Sequence, residues 1–473
     1  MNEYDAIVIG TGSGMIIAER LLRENPDARI AVIDKDMAGG ICLTRGCIPS
    51  KLVISPVEVL YDLEKLSDVI HAEVKGVDFR KIMKRMRKKI DSESRMIERS
   101  LIEFERIDYF KSPARFVSPY TLEVDGKSIR SEKIFIGSGS RPMVPEIDGL
   151  TESGYLTSDT ILYLEDMPES MVIIGGGYIA IEYGNFFARA GCDVKIVEML
   201  PRILSGEEPE ISMAVHQELS EHAEIYTSHR VVKVESDGGI KRVHAESRDG
   251  RRIFEGEEIL VAVGRESNSD ILMPENAGIE TDERGWIEVD EFLETSLRGV
   301  YAIGDANGKH MFRHVANREA IVAYMNAFHN AGIRMDYSAI PHAVFCQPEV
   351  ASVGMKEEEA VRKHGKENIL IGFEEMKSTG KGQGLNLSGF AKIIVHRESG
   401  KILGAHIVGK AASILIQEVT TVMSLNAPYH SILQAIHIHP ALGEVVSWAC
   451  GNLMRVDEYH KMIERVFQLS SQA

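Results

Sequence analysis

Near the start of the sequence, an apolar run at 4–9 leads into a glycine-rich turn and then into a stretch with helical spacing of apolar residues. Gly10 permits the tight turn, and Gly12 lets the backbone approach a pyrophosphate at the N-terminus of the following helix. A second apolar run at 29–33 ends at Asp34, where an acid of the dinucleotide-binding fingerprint holds a ribose hydroxyl. The pattern therefore predicts the strand, helix and strand of a dinucleotide-binding unit.

The third glycine of that fingerprint is replaced by Met15, although Gly14 stands directly before it. The third glycine mainly permits close packing of the helix on the strand. Met15 therefore predicts a shifted helix rather than a loss of nucleotide binding. A glycine turn also occurs in unrelated α/β proteins, so this motif alone leaves that alternative open.

The same pattern returns in the middle of the chain, where an apolar strand is followed by Gly175, Gly177 and Ala180. The next apolar strand ends at Glu198. A carboxylate there accepts from a free ribose 2′-hydroxyl and repels a 2′-phosphate, which favours NAD(H) over NADP(H). Arg202 stands nearby and argues in the other direction. Two fingerprints in one chain indicate two dinucleotides, one of which we expect to be a flavin.

Two later segments fit a flavin-binding unit that distant parts of the chain complete. One is an apolar run at 133–136 that leads into Ser138, Gly139 and Ser140. The other is a run at 300–303 that ends at Asp305, whose carboxylate is suited to holding sugar-like hydroxyls. A simple turn residue after a strand is the alternative for Asp305.

Cys42 and Cys47 stand five positions apart between the two fingerprints. On an ideal α-helix their Cα atoms would be roughly 8–9 Å apart, whereas a disulfide needs about 4.4–6.8 Å. If they bond, the backbone must leave the helix between them, and Gly46 and Pro49 favour such a break. A reducible disulfide of this kind suits a catalytic role more than a structural one. Two structural thiols or half of a metal site are the alternatives, but no further cluster completes a zinc site.

The composition describes an ordinary globular protein. The chain has 473 residues, of which 44% are hydrophobic and 26% charged, so we expect roughly two to four domains. A net charge of −17 argues against nucleic acid or an anionic membrane as the main partner. No apolar segment approaches the roughly 20 residues of a membrane span. Five cysteines and no apparent signal peptide predict a cytoplasmic location.

Three further patterns concern structure more than chemistry. Spacing of apolar residues at 80–90 predicts an amphipathic helix with a basic face, and docking of an acidic partner is the alternative for that face. The runs 390–396 and 402–408 around a glycine turn predict paired strands. The remaining cysteines are read as partly buried structural thiols: Cys192, Cys346 and Cys450.

The segment Gly-Gly-x-Cys-x4-Cys-x3-Lys between two fingerprints resembles the pyridine nucleotide–disulfide oxidoreductase family over essentially the whole chain. Within that family, the cofactor choice and catalytic motifs are most similar to those of dihydrolipoamide dehydrogenases. The stretches 313–319 and 405–409 are also similar to mycothione reductases. Mercuric reductases are disfavoured because they usually carry a terminal cysteine pair, which this sequence lacks.

The resemblance implies an α/β fold with two Rossmann-like dinucleotide-binding domains and a C-terminal α+β dimerisation domain. We expect an FAD-binding domain at 1–145, completed by 268–335. An NAD-binding domain would occupy 146–267, and an interface domain 336–473.

The resemblance also implies roles for individual residues. Cys42 would exchange with the substrate, and Cys47 would lie against the flavin as a thiolate. Lys51 would lie beside the flavin, paired with Glu182, which would also contact NAD. The family further implies contacts with FAD or NAD at Met311, His314 and Gly264.

An acid–base pair is predicted at His439 and Glu444 in the segment His-Pro-x-Leu-x-Glu. Pro440 suits the first position of a helix, so His439 is expected at a helix entrance with Glu444 in its first turns. A carboxylate that orients a histidine is the usual arrangement of a general base. The resemblance implies that this base reaches the cysteines of a neighbouring subunit, so that a homodimer is required. Ala441 and Gly443 depart from the threonine and serine common in the family.

The implied activity passes electrons between NAD(H) and a dithiol through tightly but non-covalently bound FAD. The leading hypothesis is oxidation of dihydrolipoamide by NAD+, with a small dithiol or a lipoyl carrier domain as partner. The alternative is an NAD(P)H-dependent reductase of a small disulfide of the mycothione or glutathione type. A flavin-binding redox sensor without turnover is a third hypothesis.

Overall fold

The computed structural model describes residues 2–470. A five-stranded parallel sheet lies at the centre of the N-terminal unit, in the order Val300–Ala302, Ile134–Ile136, Ala6–Ile9, Ile30–Ile33 and Ile107–Phe110. All residues of Ala6–Ile9 are buried, as expected of a parallel strand covered on both faces. Each of the apolar runs predicted in this unit forms one of these strands.

The helices of this unit are Met15–Glu24, Gly40–Thr44, Cys47–Ile54, Glu58–Lys65, Phe79–Glu103 and Arg313–His329. The helix Phe79–Glu103 buries Met83, Met86 and Ile90 and exposes its lysines, so the predicted amphipathic helix is present. A second, mixed sheet lies in the order Asn2–Glu3, Lys127–Arg130, Thr121–Val124 and Ala114–Ser118.

A four-stranded parallel sheet forms the middle unit, in the order Glu224–Tyr226, Asp193–Val197, Ser170–Ile174 and Glu258–Val261. Its helices are Tyr178–Arg189 and Pro209–Leu219, and a three-stranded antiparallel sheet follows at Arg230–Asp237, Ile240–Ser247 and Gly250–Gly256. The first helix begins directly after the second glycine turn, as the fingerprint predicts.

The middle unit is inserted into the N-terminal unit. The chain leaves through Ser140–Pro142 and returns through Arg265–Ser267, and these two segments pair antiparallel with Ser140 opposite Ser267. The edge strand Val300–Ala302 then joins Ile134–Ile136 in parallel register. The topology is that of an interrupted domain, and the proposed boundaries at 145 and 268 stay predictions.

A six-stranded antiparallel sheet forms the C-terminal unit, in the order Pro341–Val344, Val350–Gly354, Ile402–Val408, Phe390–His396, Ile369–Glu375 and Leu453–Arg455. The predicted pair Phe390–His396 and Ile402–Val408 is present. The helices of this unit are Glu357–His364, Gly380–Gly384, Ala412–Ser424, His430–Gln434, Glu444–Gly451 and Val456–Ser470. The predicted fold class is confirmed.

A buried cluster of charges joins the C-terminal unit to the middle unit. The Lys392 side chain is fully buried, and its Nζ lies 3.0 Å from Glu208, 3.1 Å from Glu210 and 2.7 Å from Glu357. The three carboxylates are close enough together to hold a metal ion. The Lys392 ammonium contacts all three, so the cluster is an ion-paired contact between units.

Among residues 2–470, no helix combines the length and the apolar character that crossing a bilayer requires.

Candidate active site

A cavity of about 740 Å³ lies at the carboxyl ends of the five-stranded sheet, within the usual size range of ligand pockets. Residues of all three units line it. The predicted site residues that it brings together are Gly10, Gly12, Gly14, Asp34, Cys42, Cys47, Lys51, Ser138, Gly139, Glu182, Asp305, Met311 and His314.

The first glycine turn needs glycine for two different reasons. Gly10 has a φ of +97°, and a Cβ there would lie 2.2 Å from the carbonyl oxygen of Gly137. A Cβ on Gly14 would lie 2.7 Å from Cγ1 of Val8, so Gly14 makes the close approach of helix to strand. The helix begins at Met15, and this explains why the chain tolerates Met15 in place of the third glycine.

Asp34 closes the same turn from the next strand. Its Oδ2 accepts from the backbone N–H of Thr11 at 2.8 Å and from the Thr11 hydroxyl, while Oδ1 accepts from the N–H of Asp36 at 3.0 Å. The carboxylate therefore holds the strand end against the glycine turn and also lines the cavity. This is the position in which the fingerprint places an acid for a ribose hydroxyl.

A buried hydroxyl faces the cavity without a partner. Ser138 Oγ is buried and forms no hydrogen bond within the described part of the chain. Asp305 accepts from the hydroxyl of Ser140, which in turn accepts from Nε of Arg265 at 2.6 Å. Ser140 therefore holds the Asp305 carboxylate in place and does not itself line the cavity. An orphaned hydroxyl, a carboxylate and an open glycine turn fit the ribityl and pyrophosphate groups of a flavin dinucleotide.

The backbone leaves the helix between the two cysteines, as predicted. One helix ends at Thr44 and the next begins at Cys47, with Gly46 between them at φ −123° and ψ −118°. Both cysteines are free thiols in this structure, and the redox disulfide between them stays a prediction. A Cβ on Gly46 would lie 3.3 Å from the Cα of Cys42, which shows how tightly the loop folds.

The two thiols differ in acidity. A hydrogen bond with Cys47 lowers the pKa of Cys42 to about 7 against the opposing effect of burial, and the charges of Arg313 and Lys51 add to the lowering. The same hydrogen bond and burial raise the pKa of Cys47. Because the pair shares one proton, the charge of one thiolate keeps the other protonated. In the polypeptide alone Cys42 is the more acidic thiol, and the role of Cys47 as the thiolate beside the flavin stays a prediction.

Lys51 and Glu182 form the predicted ion pair, with Nζ 2.6 Å from Oε2. The backbone N–H of Phe345 donates to the other carboxylate oxygen at 3.0 Å, and Nζ lies 4.5 Å from the centre of the Phe345 ring. Lys51 belongs to the helix of the cysteines, whereas Glu182 belongs to the helix after the second glycine turn. The pair therefore joins the two nucleotide-binding units at the cavity.

The second glycine turn lies outside this cavity. Gly175 has a φ of +112°, and a Cβ there would lie 2.4 Å from the carbonyl oxygen of Ala262. A Cβ on Gly177 would meet nothing within 4 Å, which leaves room for a pyrophosphate. Ala180 is buried against the sheet. Gly264 has a φ of +139° and directly precedes the returning segment, and its carbonyl accepts from the N–H of Met143.

Glu198 ends the strand beside the second turn. Its Oε1 accepts from the backbone N–H of Leu200 at 2.7 Å, and its side chain is buried. A Cβ on Gly176 would lie 2.9 Å from Oε2 of Glu198, so the carboxylate faces the glycine turn. Nη1 of Arg202 is buried and has no hydrogen-bond partner within residues 2–470. The arrangement fits the ribose of a nicotinamide dinucleotide.

His439 and Glu444 form the predicted pair, with Nδ1 of the histidine 2.8 Å from Oε1 of the glutamate. The backbone N–H of Ala441 donates to Oε2 at 2.9 Å. These two contacts lower the pKa of Glu444, with the backbone N–H contributing most. The predicted helix entrance at Pro440 is wrong, because the helix begins at Glu444. The carboxylate holds a tight turn before the helix, and this turn carries His439.

His439 does not line the cavity of its own chain. Its side chain is 74% exposed, whereas that of Glu444 is 7% exposed. Ile436 and Ile438 on the same segment are also exposed, which is unusual for large apolar side chains in such close succession. Within one chain, the acid–base pair and the cysteines therefore belong to separate surfaces.

Several residues around the cavity were not predicted. Glu207 is 1% exposed and accepts from the hydroxyls of Tyr178 and Ser352, each at 2.6 Å, and from Nε2 of His342 at 2.7 Å. Burial raises the pKa of Glu207, but His342 and the two hydroxyls outweigh it and lower the pKa to about 2. The rings of Tyr178 and His342 stack, with centroids 5.6 Å apart. Tyr178 stood beside the second fingerprint, whereas Glu207 and His342 carried no signal.

Comparison with known proteins identifies related families and structures. The family model described as pyridine nucleotide-disulphide oxidoreductase matches residues 4–320, and the dimerisation domain of the same family matches residues 340–450. The second match includes His439 and supports a homodimer.

Among curated proteins, the dihydrolipoyl dehydrogenase of Chlamydia pneumoniae is 34% identical over 462 residues, covering 96% of this chain and 97% of that protein. A mercuric reductase of Bacillus cereus is 30% identical over 432 residues, covering 88% of this chain and 66% of that protein. Among solved structures, the HOCl-induced flavoprotein disulfide reductase RclA from Escherichia coli has a TM-score of 0.83 and 27% identity, covering 94% of this chain and 98% of that one.

The cavity, its cysteine pair and the two glycine turns agree with these relationships. The chain belongs to the pyridine nucleotide-disulphide oxidoreductase family and is a flavoprotein disulfide oxidoreductase that uses FAD and NAD(H).

Proposed function

We propose that the protein oxidises a dihydrolipoyl group with NAD+, either on free dihydrolipoamide or on a lipoyl carrier domain. The observation that carries the proposal is the His439–Glu444 pair on an exposed segment, combined with a thiol pair in a separate cavity. A base so placed serves the cysteines of a second copy. Similarity to dihydrolipoyl dehydrogenases over 96% of the chain supports the dithiol as substrate.

FAD, when bound, carries the electron pair from the cysteine thiols to NAD+ as hydride. The residues of the chain have distinct tasks around it. The glycine turn at Gly10 and Gly12 and the free hydroxyl of Ser138 would bind its pyrophosphate and ribityl groups, and Asp305 would accept from its hydroxyls. Lys51 would keep a positive charge at the cavity wall, since Glu182 holds its ammonium in place.

The dithiol step begins with the oxidised pair, in which Cys42 and Cys47 share a disulfide. In the proposed dimer, His439 of the partner subunit takes the proton from one substrate thiol, because only a thiolate attacks a disulfide. The substrate sulfur bonds to Sγ of Cys42 and the bond between Cys42 and Cys47 breaks, which leaves Cys47 as a thiolate. Glu444 would stabilise the imidazolium that forms.

The second substrate thiol completes the exchange. Its thiolate attacks the substrate sulfur held by Cys42, so the cyclic disulfide forms and Cys42 departs as a thiolate. Two electrons have then moved from the substrate to the cysteine pair. The two protons of the substrate thiols are shared among His439, the cysteines and solvent. A pKa of about 7 suits Cys42 as a leaving group at neutral pH.

Glu198 supports NAD(H) as the nicotinamide cofactor. Its carboxylate faces the second glycine turn and would accept from an unmodified ribose hydroxyl. We expect Glu198→Gln to raise the KM for NADH several-fold without lowering the rate at saturation. An unchanged KM would remove Glu198 from the nucleotide site.

The proposed reaction is tested with the purified holoprotein and a panel of substrates. Dihydrolipoamide with NAD+ or NADP+ measures the forward direction, and lipoamide, glutathione disulfide and mycothione with NADH or NADPH measure the reverse. We expect the highest kcat/KM for the lipoyl pair with NAD(H). Efficient turnover of a thiol disulfide without turnover of lipoamide would contradict the proposal.

Reduction of a low-molecular-weight disulfide is the second candidate function. Similarity to RclA, a flavoprotein disulfide reductase, favours it. The same substrate panel separates the two candidates, because a reductase of this class turns over its own disulfide with NADH or NADPH but not lipoamide.

The His439 assignment has a matched control within the chain. His437 lies two residues away and pairs with Glu418 at 2.8 Å, so it is a second His–Glu pair on the same segment. We expect His439→Gln to lower dihydrolipoamide oxidation by 10²- to 10⁴-fold, the usual contribution of a general base. His437→Gln should retain most turnover, and both variants should still be reduced by NADH. Equal losses in the two variants would argue against a specific role for His439.

The order of the cysteines is tested by replacing each with serine. Cys42→Ser should leave Cys47 as a thiolate beside oxidised FAD and produce a long-wavelength absorption band. Cys47→Ser should lack that band. The opposite result would exchange the two roles.

A further inference from the structure

The loop between Cys42 and Cys47 carries a cation, Arg45, to which the proposed reaction gives no task. Arg45 directly follows the helix Gly40–Thr44 and has a φ of −150° and a ψ of 15°, so it stands where the backbone leaves the helix. Its side chain is largely buried. Arg45 is therefore placed to control the path of the chain from one cysteine to the other.

Two carboxylates hold the guanidinium of Arg45. Nη2 donates to Oδ2 of Asp36 at 2.7 Å, and Nε lies 3.0 Å from Oδ2 of Asp159. Burial lowers the pKa of Arg45, but Asp36 and Asp159 outweigh it and raise the pKa. The planar guanidinium can contact two carboxylates through separate nitrogens, which a single lysine ammonium does less well.

The two carboxylates belong to different nucleotide-binding units, and each is fixed in turn. The backbone N–H of Asp36 donates to Asp34 at 3.0 Å, and Asp34 closes the first glycine turn. Asp159 follows Leu156, whose backbone exchanges hydrogen bonds of 2.7 and 2.8 Å with the strand Glu258–Val261 of the middle unit. The guanidinium therefore ties the loop of the cysteines to both units.

The loop that is held in this way is tightly folded. A Cβ on Gly46 would lie 3.0 Å from the carbonyl oxygen of Ile41 and 3.3 Å from the Cα of Cys42. A disulfide between the cysteines would remove much of the remaining freedom of the loop, and restricting backbone freedom costs free energy. A loop that is already restrained loses less freedom when the disulfide forms.

We propose that Arg45 is a positioning residue that restrains this loop through Asp36 and Asp159 and so favours the disulfide of Cys42 and Cys47 over their dithiol form. The inference rests on the redox role of the two cysteines in the proposed function. Arg45 acts through the geometry of the loop and sets the equilibrium of the pair.

The equilibrium is a thiol–disulfide exchange, for which dithiothreitol serves as the reductant. One thiolate of the reductant bonds to Sγ of Cys42, and the bond between Cys42 and Cys47 breaks. The second thiolate then attacks the reductant sulfur held by Cys42, so that Cys42 is released and the reductant leaves as a cyclic disulfide. Two electrons and two protons have passed from the reductant to the cysteine pair.

The equilibrium is measured on the FAD-saturated holoprotein. The protein is equilibrated without oxygen in buffers of reduced and oxidised dithiothreitol, then acid-quenched and alkylated, and mass spectrometry gives the dithiol fraction of the peptide that contains both cysteines. We expect Arg45→Met to shift the midpoint about tenfold in favour of the dithiol, which corresponds to about 30 mV. That shift is roughly what release of one residue's backbone would cause.

Arg45→Lys retains the charge but has one ammonium for two carboxylates, so its midpoint should lie between those of Arg45→Met and the unsubstituted protein. Arg141 provides a matched control. Its Nε lies 2.7 Å from Glu266 and its Nη1 lies 2.8 Å from Asp270, so it also bridges two carboxylates, at the junction of the same two units. It does not line the cavity, and Arg141→Met should leave the midpoint unchanged.

The sign of the shift separates a restraint from an effect of charge. Loss of a positive charge near the thiols would destabilise a thiolate and so favour the disulfide. A shift in that direction in Arg45→Met would overturn the inference, as would an unchanged midpoint or an equal shift in Arg141→Met. If Arg45→Met does not fold, Arg45→Lys decides, and an unchanged midpoint there would overturn the inference.

Failure of the proposed function gives a different result. If the unsubstituted protein forms no disulfide between Cys42 and Cys47 at any ratio of the two dithiothreitol forms, the redox role of the pair itself is contradicted. If that disulfide forms and its midpoint is the same in Arg45→Met, only the task of Arg45 is contradicted.

Discussion

Replacing the buried Lys392 with methionine tests the ion cluster that joins the middle and C-terminal units. Methionine has a similar length and no charge, so the change removes the ammonium and leaves the surrounding packing nearly intact. Glu208, Glu210 and Glu357 would then face one another without a cation. We expect a large loss of stability.

The expected magnitude follows from the burial of the partners. Burial alone would lower the pKa of Lys392, but the three carboxylates outweigh it and raise the pKa above its usual value. Removing one partner of a buried ion pair usually costs about 3–5 kcal/mol, since it leaves an uncompensated charge in the interior. For a unit of about 150–250 residues, that loss lowers Tm by roughly 10 °C.

The sign of the pH dependence should reverse in the variant. Burial raises the pKa of Glu208, but Lys392 and His406 outweigh it, so that the pKa lies below its usual value. In the unsubstituted protein the contribution of Glu208 is complete above its unfolded-state pKa of about 4.3 and is lost as the pH falls further. In Lys392→Met burial would dominate and raise the pKa, so the variant should gain stability as the pH falls from about 8 towards 5.

Thermal unfolding of the two proteins at several pH values measures both effects. Lys377→Met is the control, because the Lys377 side chain is 66% exposed and its pair with Glu375 should contribute at most about 1 kcal/mol. Parallel curves of Tm against pH for Lys392→Met and the unsubstituted protein would refute the reasoning. So would a loss of Tm no larger than that of the control.

Four further substitutions have expected results. Burial raises the pKa of Glu207, but His342 and two hydroxyls outweigh it and lower the pKa to about 2. Glu207 therefore contributes about 3 kcal/mol of stability that the unsubstituted protein loses as the pH falls from 5 to 2. Glu207→Gln should lack this contribution at pH 5 and above, and chemical denaturation at each pH measures the difference. Gly10→Ala should lower the FAD content of the purified protein, because its Cβ would lie 2.2 Å from a backbone oxygen, whereas Gly177→Ala, with open space at that position, should keep FAD and weaken NADH binding. Lys51→Met should leave the buried Glu182 without its ammonium and slow flavin reduction by NADH in stopped-flow measurements, and an unchanged rate would contradict the assigned role.

The local features of the fold could be predicted from the sequence because neighbouring residues determine them. A β-branched run followed by glycine needs no distant partner to indicate a strand and a tight turn. The break between Cys42 and Cys47 could be anticipated from Gly46, which lies between the helices that end at Thr44 and begin at Cys47. The effect of Met15 could not be predicted from neighbouring residues alone. The close approach of the helix to the strand depends on the position of Val8, and Gly14, rather than residue 15, makes that approach.

The contacts between units could not be predicted in this way. Glu207 and His342 are separated by 135 positions, and Lys392 and Glu208 by 184. A single charged or aromatic residue on a helix or strand carries no sign of such a partner. The segment at His439 differs for another reason, since the Glu444 carboxylate binds the N–H of Ala441 and delays the start of the helix.

The edge strand Val300–Ala302 completes the five-stranded sheet long after its neighbour Ile134–Ile136 has been synthesised. During translation, the nascent chain must carry that open sheet edge until the whole middle unit has left the ribosome. Unpaired backbone groups on such an edge are prone to association with other chains. A truncated product that stops before residue 300 would therefore aggregate and take up no flavin, even though it contains the first glycine turn and both cysteines.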